Sequence, residues 1–219
     1  MGVTTSTAEK PARRRKQQRT VDTRLKIVKA ALSEFSLRGF EGGSTRRIAE
    51  AAQVPHSLVI YHFKTKEQLW YDTIREAVQW YTRRPFGVLE PLREGDPAAQ
   101  LKRMFAYYIR FSAENPDFSR LFTRENALNS ERLAWLVENH VGPMQLRTTQ
   151  LIAKAQAQGT FAPGDPITLL YMFHGAATSP YRSAQEIRLI TGKSPSDPAA
   201  VEAHIALCET LFFRSVVKS

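Results

Sequence analysis

The sequence predicts an all-α protein in which an N-terminal three-helix domain precedes a C-terminal helical bundle, about nine to ten helices in all. In one segment after another, apolar residues recur three or four positions apart, which is the spacing of one helix face. Proline and glycine separate most of these segments. Of the 219 residues, 42% are hydrophobic and 24% are charged, a composition that supports a buried core rather than a disordered chain.

Basic residues are concentrated in the first third of the chain. Residues 1–69 contain 14 Lys or Arg and 6 Asp or Glu, a net charge of +8, whereas residues 70–219 contain 17 and 15, a net charge of +2. Such a basic segment favours a polyanionic partner. Residues 1–20 are basic with almost no apolar residues, which predicts a disordered tail. The sequence therefore divides into that tail, a first domain over residues 21–65 and a second over residues 66–219.

The first helix is predicted over residues 21–38, because apolar side chains keep helical spacing up to Phe35 and Gly39 stands where a helix would end. A short second helix follows from Thr45 to Ala52, with Ser44 as its N-cap. A long helix is predicted across the charge boundary, from residue 66 to residue 82. The remaining helices are predicted over residues 97–113, 117–127, 130–158, 166–178, 181–191 and 198–217.

The segment from Ser57 to Phe63 gives two conflicting signals. It is rich in β-branched and aromatic residues, so propensity alone favours a strand, yet no partner strand is predicted. The apolar positions that run across it fit a helix-turn-helix, with the small Ala49 where two helices must nearly touch. These positions are Ile48, Ala49, Ala52, Val54 and Val59. We therefore predict a helix for this segment.

The run from Thr45 to Leu69, TRRIAEAAQVPHSLVIYHFKTKEQL, resembles the DNA-binding signature of the TetR family of bacterial transcriptional regulators. One position departs from it: Gln53 stands where glycine is usual, and a positive φ there costs about 1 kcal/mol. The resemblance implies a homodimer that binds palindromic operator DNA through residues 21–65. It also implies that residues 66–219 bind an effector and dimerise, and that the protein is a repressor rather than an activator.

Roles within the motif follow from how a helix sits in the major groove, where its first turn reads base edges and its ends face phosphates. Pro55, His56 and Ser57 are therefore expected nearest the bases. Either Arg46 or Arg47 reaches a phosphate or a guanine, and the pattern does not distinguish the two. The residues expected to contact the DNA backbone are Ser44, Thr45, Tyr61, His62 and Lys66.

A twofold dimer is expected because one reading helix buries too little surface for specific binding. The predicted helices over residues 166–178 and 198–217 carry more apolar residues than one subunit's core should need, and pairing them makes a four-helix bundle. The alternative is that these residues fill the core of one subunit. The predicted interface residues are Leu169, Leu170, Phe173, Val201, Ile205, Leu207, Cys208, Leu211 and Phe212.

An effector pocket is predicted where aromatic residues with polar tips come from several helices of the second domain. For each of these residues, packing in the core is the alternative. The surrounding stretches are close to neutral, which favours a largely apolar, aromatic or ring-bearing small molecule. The predicted pocket residues are Phe105, Tyr108, Phe118, Phe122, Trp135, Met144, Tyr171, His174 and Tyr181.

Other classes of protein have weaker support. The sequence contains no catalytic, phosphate-binding or metal-ligand motif, so we expect no enzyme, no cofactor and no metal, although an unrecognised catalytic site stays an alternative. The single Cys208 and the lack of an apolar leader favour the cytoplasm. Residues 1–6, MGVTTS, fit the N-myristoylation pattern and precede a basic run, so a ligand-binding protein held at membranes is a further alternative.

Overall fold

The computed structural model describes the backbone of residues 9–83, 95–128 and 130–214, and nearly all of it is helical. The chain forms two compact units that divide between Ala77 and Val78. The predicted myristoylation segment, residues 1–6, lies outside the described residues. Apart from an isolated bridge between Phe161 and Phe213, the described ranges contain no β-structure. The all-α prediction is confirmed.

The first unit begins with helix α1 (Glu9–Gly42), whose helical backbone is interrupted at Gly39 by a φ of 71°. The predicted stop at Gly39 is therefore present. The prediction of a disordered tail is wrong for residues 9–20, which continue α1. Arg, Lys, Gln and Glu dominate this stretch and are good helix formers, so a packed helix can propagate through it.

Helices α2 (Thr45–Ala51) and α3 (His56–Phe63) form the helix-turn-helix. The Ser44 side chain caps α2 by accepting a hydrogen bond from the backbone N–H of Arg47 at 3.4 Å. Gln53 in the turn has a φ of 55°, the left-handed conformation that the motif demands. Tertiary context thus overrides the strand propensity of α3, because helical spacing is what buries Val59 and Phe63 together.

Helix α4 (Lys66–Arg83) belongs to both units. Its first part buries Leu69, Trp70 and Ile74 in the first unit, and its Asp72 accepts hydrogen bonds from Arg24 of α1 at 3.2 and 3.3 Å. The boundary between the units therefore falls later in the chain than the predicted boundary between residues 65 and 66, because the first part of α4 packs within the first unit.

The second unit continues from the end of α4 with seven further helices among the described residues. Proline occupies the first turn of five of them, where its missing N–H has no helical partner to lose. The bounds are α5 (Pro97–Glu114), α6 (Pro116–Asn126), α7 (Glu131–Leu136), α8 (Gly142–Ala157), α9 (Pro166–Arg182), α10 (Ala184–Thr191) and α11 (Pro198–Phe212).

A π-helical turn, Val137–Val141, replaces part of the single helix predicted over residues 130–158. The backbone of this turn lies close to Gly142, where an added Cβ would be 2.8 Å from the Val137 carbonyl oxygen. Such turns widen a helix locally and often occur at functional sites. The periodic pattern of apolar residues cannot reveal this one-residue insertion, because the residues on both sides of it still look helical.

The core of the second unit is formed by α5, α8, α9 and α11, with the rings of Phe105 and Phe173 stacked at 3.5 Å between centroids. Pro180 lies inside α9 and has no N–H to donate to the carbonyl of Ala176. His204 of α11 forms a hydrogen bond with the hydroxyl of Tyr181, the next residue of α9, at 3.0 Å.

The structure corrects most of the predicted dimer residues. Seven of them are buried in the subunit core, because they occupy the inner faces of α9 and α11. These seven are Leu169, Leu170, Phe173, Val201, Ile205, Cys208 and Phe212. Leu207 and Leu211, on the opposite face of α11, are 57% and 61% exposed. Filling of one subunit's core is therefore the correct interpretation for the seven buried residues.

Candidate DNA-reading surface and effector cavity

The first residues of α2 and α3 meet on the surface of the first unit. The Thr45 hydroxyl and His56 Nε2 are 3.0 Å apart and hydrogen-bonded. Pro55 and Ser57 beside them are exposed, and Ser44 and Thr45 are partly exposed. Two helix N-termini with unused N–H groups, hydroxyls and an imidazole thus share one patch, which suits an anionic polymer.

The two adjacent arginines of α2 differ in what they contact. Arg47 donates to a Glu34 carboxylate oxygen from Nε at 2.8 Å and to the Gly42 carbonyl at 2.6 Å, so it ties α2 to α1. Arg46 is exposed, and the described residues offer it no hydrogen bond or ion pair. Of the two arginines, Arg46 is therefore the one whose guanidinium is available to a partner.

Glu34 is the centre of this tether. Burial opposes its ionisation, but Arg47, the backbone N–H of Ser44 and the charge of Arg38 together lower its pKa below the usual value. The Ser44 N–H donates to the same carboxylate oxygen at 3.1 Å, which holds the N-cap of α2 in place. The carboxylate thus positions the start of α2 without being part of the exposed patch.

Three of the residues predicted to contact the DNA backbone, Tyr61, His62 and Lys66, lie around the end of α3 and the start of α4. Tyr61 is 67% exposed, and the ammonium of Lys64 lies 5.5 Å from its ring centroid. Lys66 donates to the Glu41 carbonyl at 3.0 Å and keeps two further N–H donors. Burial, with a smaller contribution from the charge of Arg24, lowers the pKa of His62 below its usual value.

The second unit contains a cavity of about 270 Å³. Its lining combines aromatic and aliphatic side chains with a few polar groups, the composition of a small-molecule site. Of the nine predicted pocket residues, seven line it: Phe105, Tyr108, Phe118, Phe122, Met144, Tyr171 and His174. Trp135 and Tyr181 are not among the lining residues. Tyr181 is instead buried in the core beside His204, and the Trp135 ring packs against the His140 imidazole at 4.9 Å.

Sequence reasoning missed several lining residues, of which Arg182 is the only charged one among those the structure describes. His174, Thr178 and Arg182 follow one another at intervals of four along α9, so they share one helix face. That spacing from His174 is a signal that could have identified the other two. The π-helical turn contributes Val137, His140 and Val141 to the lining.

Two titratable groups of the cavity, the Tyr108 phenol and the His174 imidazole, are neutral at physiological pH. Burial raises the pKa of Tyr108 to about 12, against the opposing charge of Arg182. Burial lowers the pKa of His174 to about 4. At physiological pH the cavity therefore presents a phenol and a neutral imidazole, each able to donate and to accept a hydrogen bond.

Several large apolar side chains of the last three helices are exposed. Leu189 and Ile190 of α10 are 78% and 76% exposed, and the exposed large apolar residues of α9 and α11 are Ile167, Tyr171, Met172, Leu207 and Leu211. Large exposed apolar side chains in such number are more typical of an interaction surface than of a solvated face. Within the described part of the chain, no helix could span a lipid bilayer. The described part of the chain also contains no group of three or more His, Cys, Asp or Glu side chains that could hold a metal ion.

Comparison with known proteins gives this arrangement a context. The family described as "Bacterial regulatory proteins, tetR family" matches residues 27–70, and "Tetracyclin repressor-like, C-terminal domain" matches residues 97–211. The HTH-type transcriptional regulator RutR of Escherichia coli K12 is 30% identical over 185 residues, which cover 83% of this chain and 85% of RutR. The chain belongs to the TetR family. It is therefore a helix-turn-helix transcriptional regulator, as the sequence predicts.

A further relative agrees with this assignment, and a solved structure shares the fold. The HTH-type transcriptional repressor NicS of Pseudomonas putida KT2440 is 27% identical over 156 residues, which cover 68% of this chain and 71% of NicS. The crystal structure of HlyIIR, a haemolysin II transcriptional regulator, superimposes with a TM-score of 0.63 at 23% identity. That superposition covers 86% of this chain and 97% of HlyIIR, and it shows that the fold is shared.

Proposed function

We propose that this TetR-family regulator is a repressor that acts by binding alone, without catalysis. In this proposal a homodimer binds a palindromic operator, and a small molecule in the cavity of the second unit releases it. The observation that carries the proposal is the contact between Thr45 and His56, which brings the N-termini of α2 and α3 onto one exposed patch. The name of NicS, a repressor, supports the direction of the regulation.

Within the patch, we assign base reading to His56 with Pro55 and Ser57, because they form the first turn of α3. Ser44, Thr45 and Arg46 would contact phosphates or a guanine at the start of α2. The exposed Tyr61, with His62 and Lys66, would hold the backbone of the flanking nucleotides. Arg47 has a positioning role, since Glu34 and the Gly42 carbonyl already bind its guanidinium.

The homodimer would form through the exposed apolar residues of α9, α10 and α11. Two copies related by a twofold axis bury such a face against itself, because the same patch is present on both. Leu207 and Leu211, one turn apart on α11, would lie at its centre. This proposal retains the predicted pairing of the helices over residues 166–178 and 198–217, but it places the interface on their exposed faces instead of their buried ones.

Binding to DNA is tested by fluorescence anisotropy with a labelled operator identified by footprinting the promoter regions of neighbouring genes. The logarithm of the binding constant should fall by about 0.9 per phosphate contact for each tenfold rise in salt. His56→Ala should lower the preference for the operator over a scrambled duplex, whereas Lys66→Ala should weaken binding to both. A binding constant that is independent of salt, or equal for both duplexes, would exclude the proposal.

Release by an effector is tested with isothermal titration calorimetry of a confirmed ligand, with and without operator. Helix α4 contributes residues to both units. A ligand that binds more tightly to one position of the last turn of α4 would therefore change the spacing between the two DNA-reading patches of the dimer. Because binding free energies are reciprocal, operator must weaken ligand binding by the same factor that ligand weakens operator binding. Identical ligand affinities in both titrations would mean that the two sites are not coupled.

A further inference from the structure

The cavity contains one cation whose charge the described residues do not neutralise. The guanidinium of Arg182 donates to the Thr123 hydroxyl at 2.8 Å. No described carboxylate lies within ion-pairing distance of it. Its situation differs from that of Arg110 on α5, whose guanidinium is held by Glu202 through two hydrogen bonds of 2.7 Å. Arg182 is partly buried at the C-terminal end of α9 and lines the cavity.

The described lining contains no acidic residue that a ligand anion would meet. Its other polar side chains are hydroxyls, amides and imidazoles, which tolerate or bind an anion. Thr123, Asn126 and Thr178 lie in the same lining as Arg182. A negative group placed beside Arg182 would therefore gain charge-assisted hydrogen bonds without facing a like charge.

The remainder of the cavity is apolar and aromatic. The rings of Phe118 and Phe122 lie 4.4 Å apart between centroids on α6, and Tyr108 faces His174 at 5.1 Å across α5 and α9. Flat apolar groups bind between such rings. The neutral His174 lies two turns from Arg182 on the same face of α9, so a ligand that extends along this face meets a cation at one end and an uncharged donor and acceptor at the other.

We propose that the effector is an aromatic or alicyclic acid, whose carboxylate or other oxyanion pairs with Arg182 while its ring lies among the cavity's aromatic side chains. The proposal rests on the proposed effector function of the cavity and specifies the ligand class more narrowly. The sequence predicts a largely apolar ligand, and Arg182 adds one negative charge to that description. The small volume, about 270 Å³, favours one or two rings over a long acyl chain.

The test uses two dyes that share one ring system and differ in charge: 8-anilinonaphthalene-1-sulfonate, an anion, and N-phenyl-1-naphthylamine, which is neutral. Each is titrated into the full-length protein, and its fluorescence gives the dissociation constant. Arg182→Gln should weaken binding of the sulfonate roughly tenfold or more and change binding of the neutral dye less than about twofold. Arg182→Lys, which keeps the charge, should lose less than Arg182→Gln.

Two variants serve as controls. Arg188→Gln removes an exposed arginine of α10 that does not line the cavity, and it should leave both affinities unchanged. Gly175→Phe fills space at the lining, because a Cβ added at Gly175 meets no atom within 4 Å, and it should weaken both dyes. Thermal melting of each variant confirms that it is folded.

The outcomes separate this inference from the function on which it rests. If Gly175→Phe weakens both dyes but Arg182→Gln weakens them equally or not at all, the cavity binds ligands and the preference for an acid is wrong. If neither dye binds, or if Gly175→Phe affects neither, the cavity is not a ligand site, and the effector function fails together with the inference.

Discussion

The two neighbouring arginines of α2 give the sharpest test of the DNA-reading surface. Replacing Arg46 with alanine should weaken operator binding and leave stability unchanged, whereas replacing Arg47 should lower stability. Arg46→Ala removes an exposed cation that contacts nothing in the described residues, so the melting temperature should not change. Operator binding should weaken. If Arg46 meets one phosphate in each subunit, the slope of log binding constant against log salt falls by about 1.8.

Arg47→Ala should instead lower stability. It removes the hydrogen bonds to Glu34 and to the Gly42 carbonyl, and it leaves a carboxylate that is only 12% exposed without its closest cation. The arginine itself is 45% exposed, so solvent screening limits the loss to about 1–2 kcal/mol. For a chain of this size, that corresponds to a decrease in melting temperature of about 2–8 °C.

Differential scanning calorimetry and salt-dependent anisotropy on the same preparations separate the two effects. Arg38→Ala is the matched control, since this 54% exposed arginine also pairs with Glu34, at 3.4 Å, and should cost less than about 0.5 kcal/mol. A double-mutant cycle of Arg47→Ala with Glu34→Gln should show coupling. If Arg47→Ala left the melting temperature unchanged and flattened the salt slope, the assigned roles would be reversed and the reasoning refuted.

Three further predictions concern the second unit. Leu207→Glu with Leu211→Glu should yield monomers in sedimentation velocity at micromolar concentration, and a persisting dimer would exclude the proposed face. Gly142→Ala should lower the free energy of unfolding by about 1–3 kcal/mol, because the added Cβ would lie 2.8 Å from a carbonyl oxygen. Gly175→Ala, at a helical position with open space around the added Cβ, should raise it by about 0.4–1 kcal/mol. Thermal melting of both variants measures the difference, and equal effects would contradict the π-turn geometry. The pKa of His174 is lowered from 6.5 to about 4, so between these pH values the unfolded chain binds a proton that the folded chain does not, and stability rises with pH. His174→Asn should reduce that rise by about 3 kcal/mol in urea titrations. An unchanged pH profile would contradict the burial of His174.

The helix-turn-helix was predictable because its determinants are local. Ser44 caps α2, Gln53 adopts the left-handed turn and Gly39 interrupts α1, and each of these is readable within a few residues. The tail was misjudged for a related reason. A charged stretch with no apolar residues cannot fold alone, but it can extend a helix that is already packed, and that depends on residues farther along the chain.

The assignment of apolar residues to core or surface was not predictable, because α11 is apolar on two faces. Val201, Ile205 and Cys208 repeat at helical spacing, and so do Leu207 and Leu211. Periodicity identifies both sets and cannot say which one faces α5 and α9. Arg182 was missed although its spacing from His174 places both on one face of α9. Whether that face lines a cavity depends on how α6 and α9 pack together, and sequence spacing does not encode that packing.

Helix α9 links the two proposals for the second unit, because it carries both the cavity and part of the exposed apolar face. His174, Thr178 and Arg182 line the cavity, while Met172 lies on the outer face, and Tyr171 does both, since it lines the cavity and is 55% exposed. A ligand that shifts Tyr171 would therefore also alter the surface through which the subunits are proposed to pair. Ligand affinity and dimer affinity must then depend on each other by the same factor. Release of the operator would follow from a change in how the two subunits meet, with no need for the ligand to reach the DNA-reading patch.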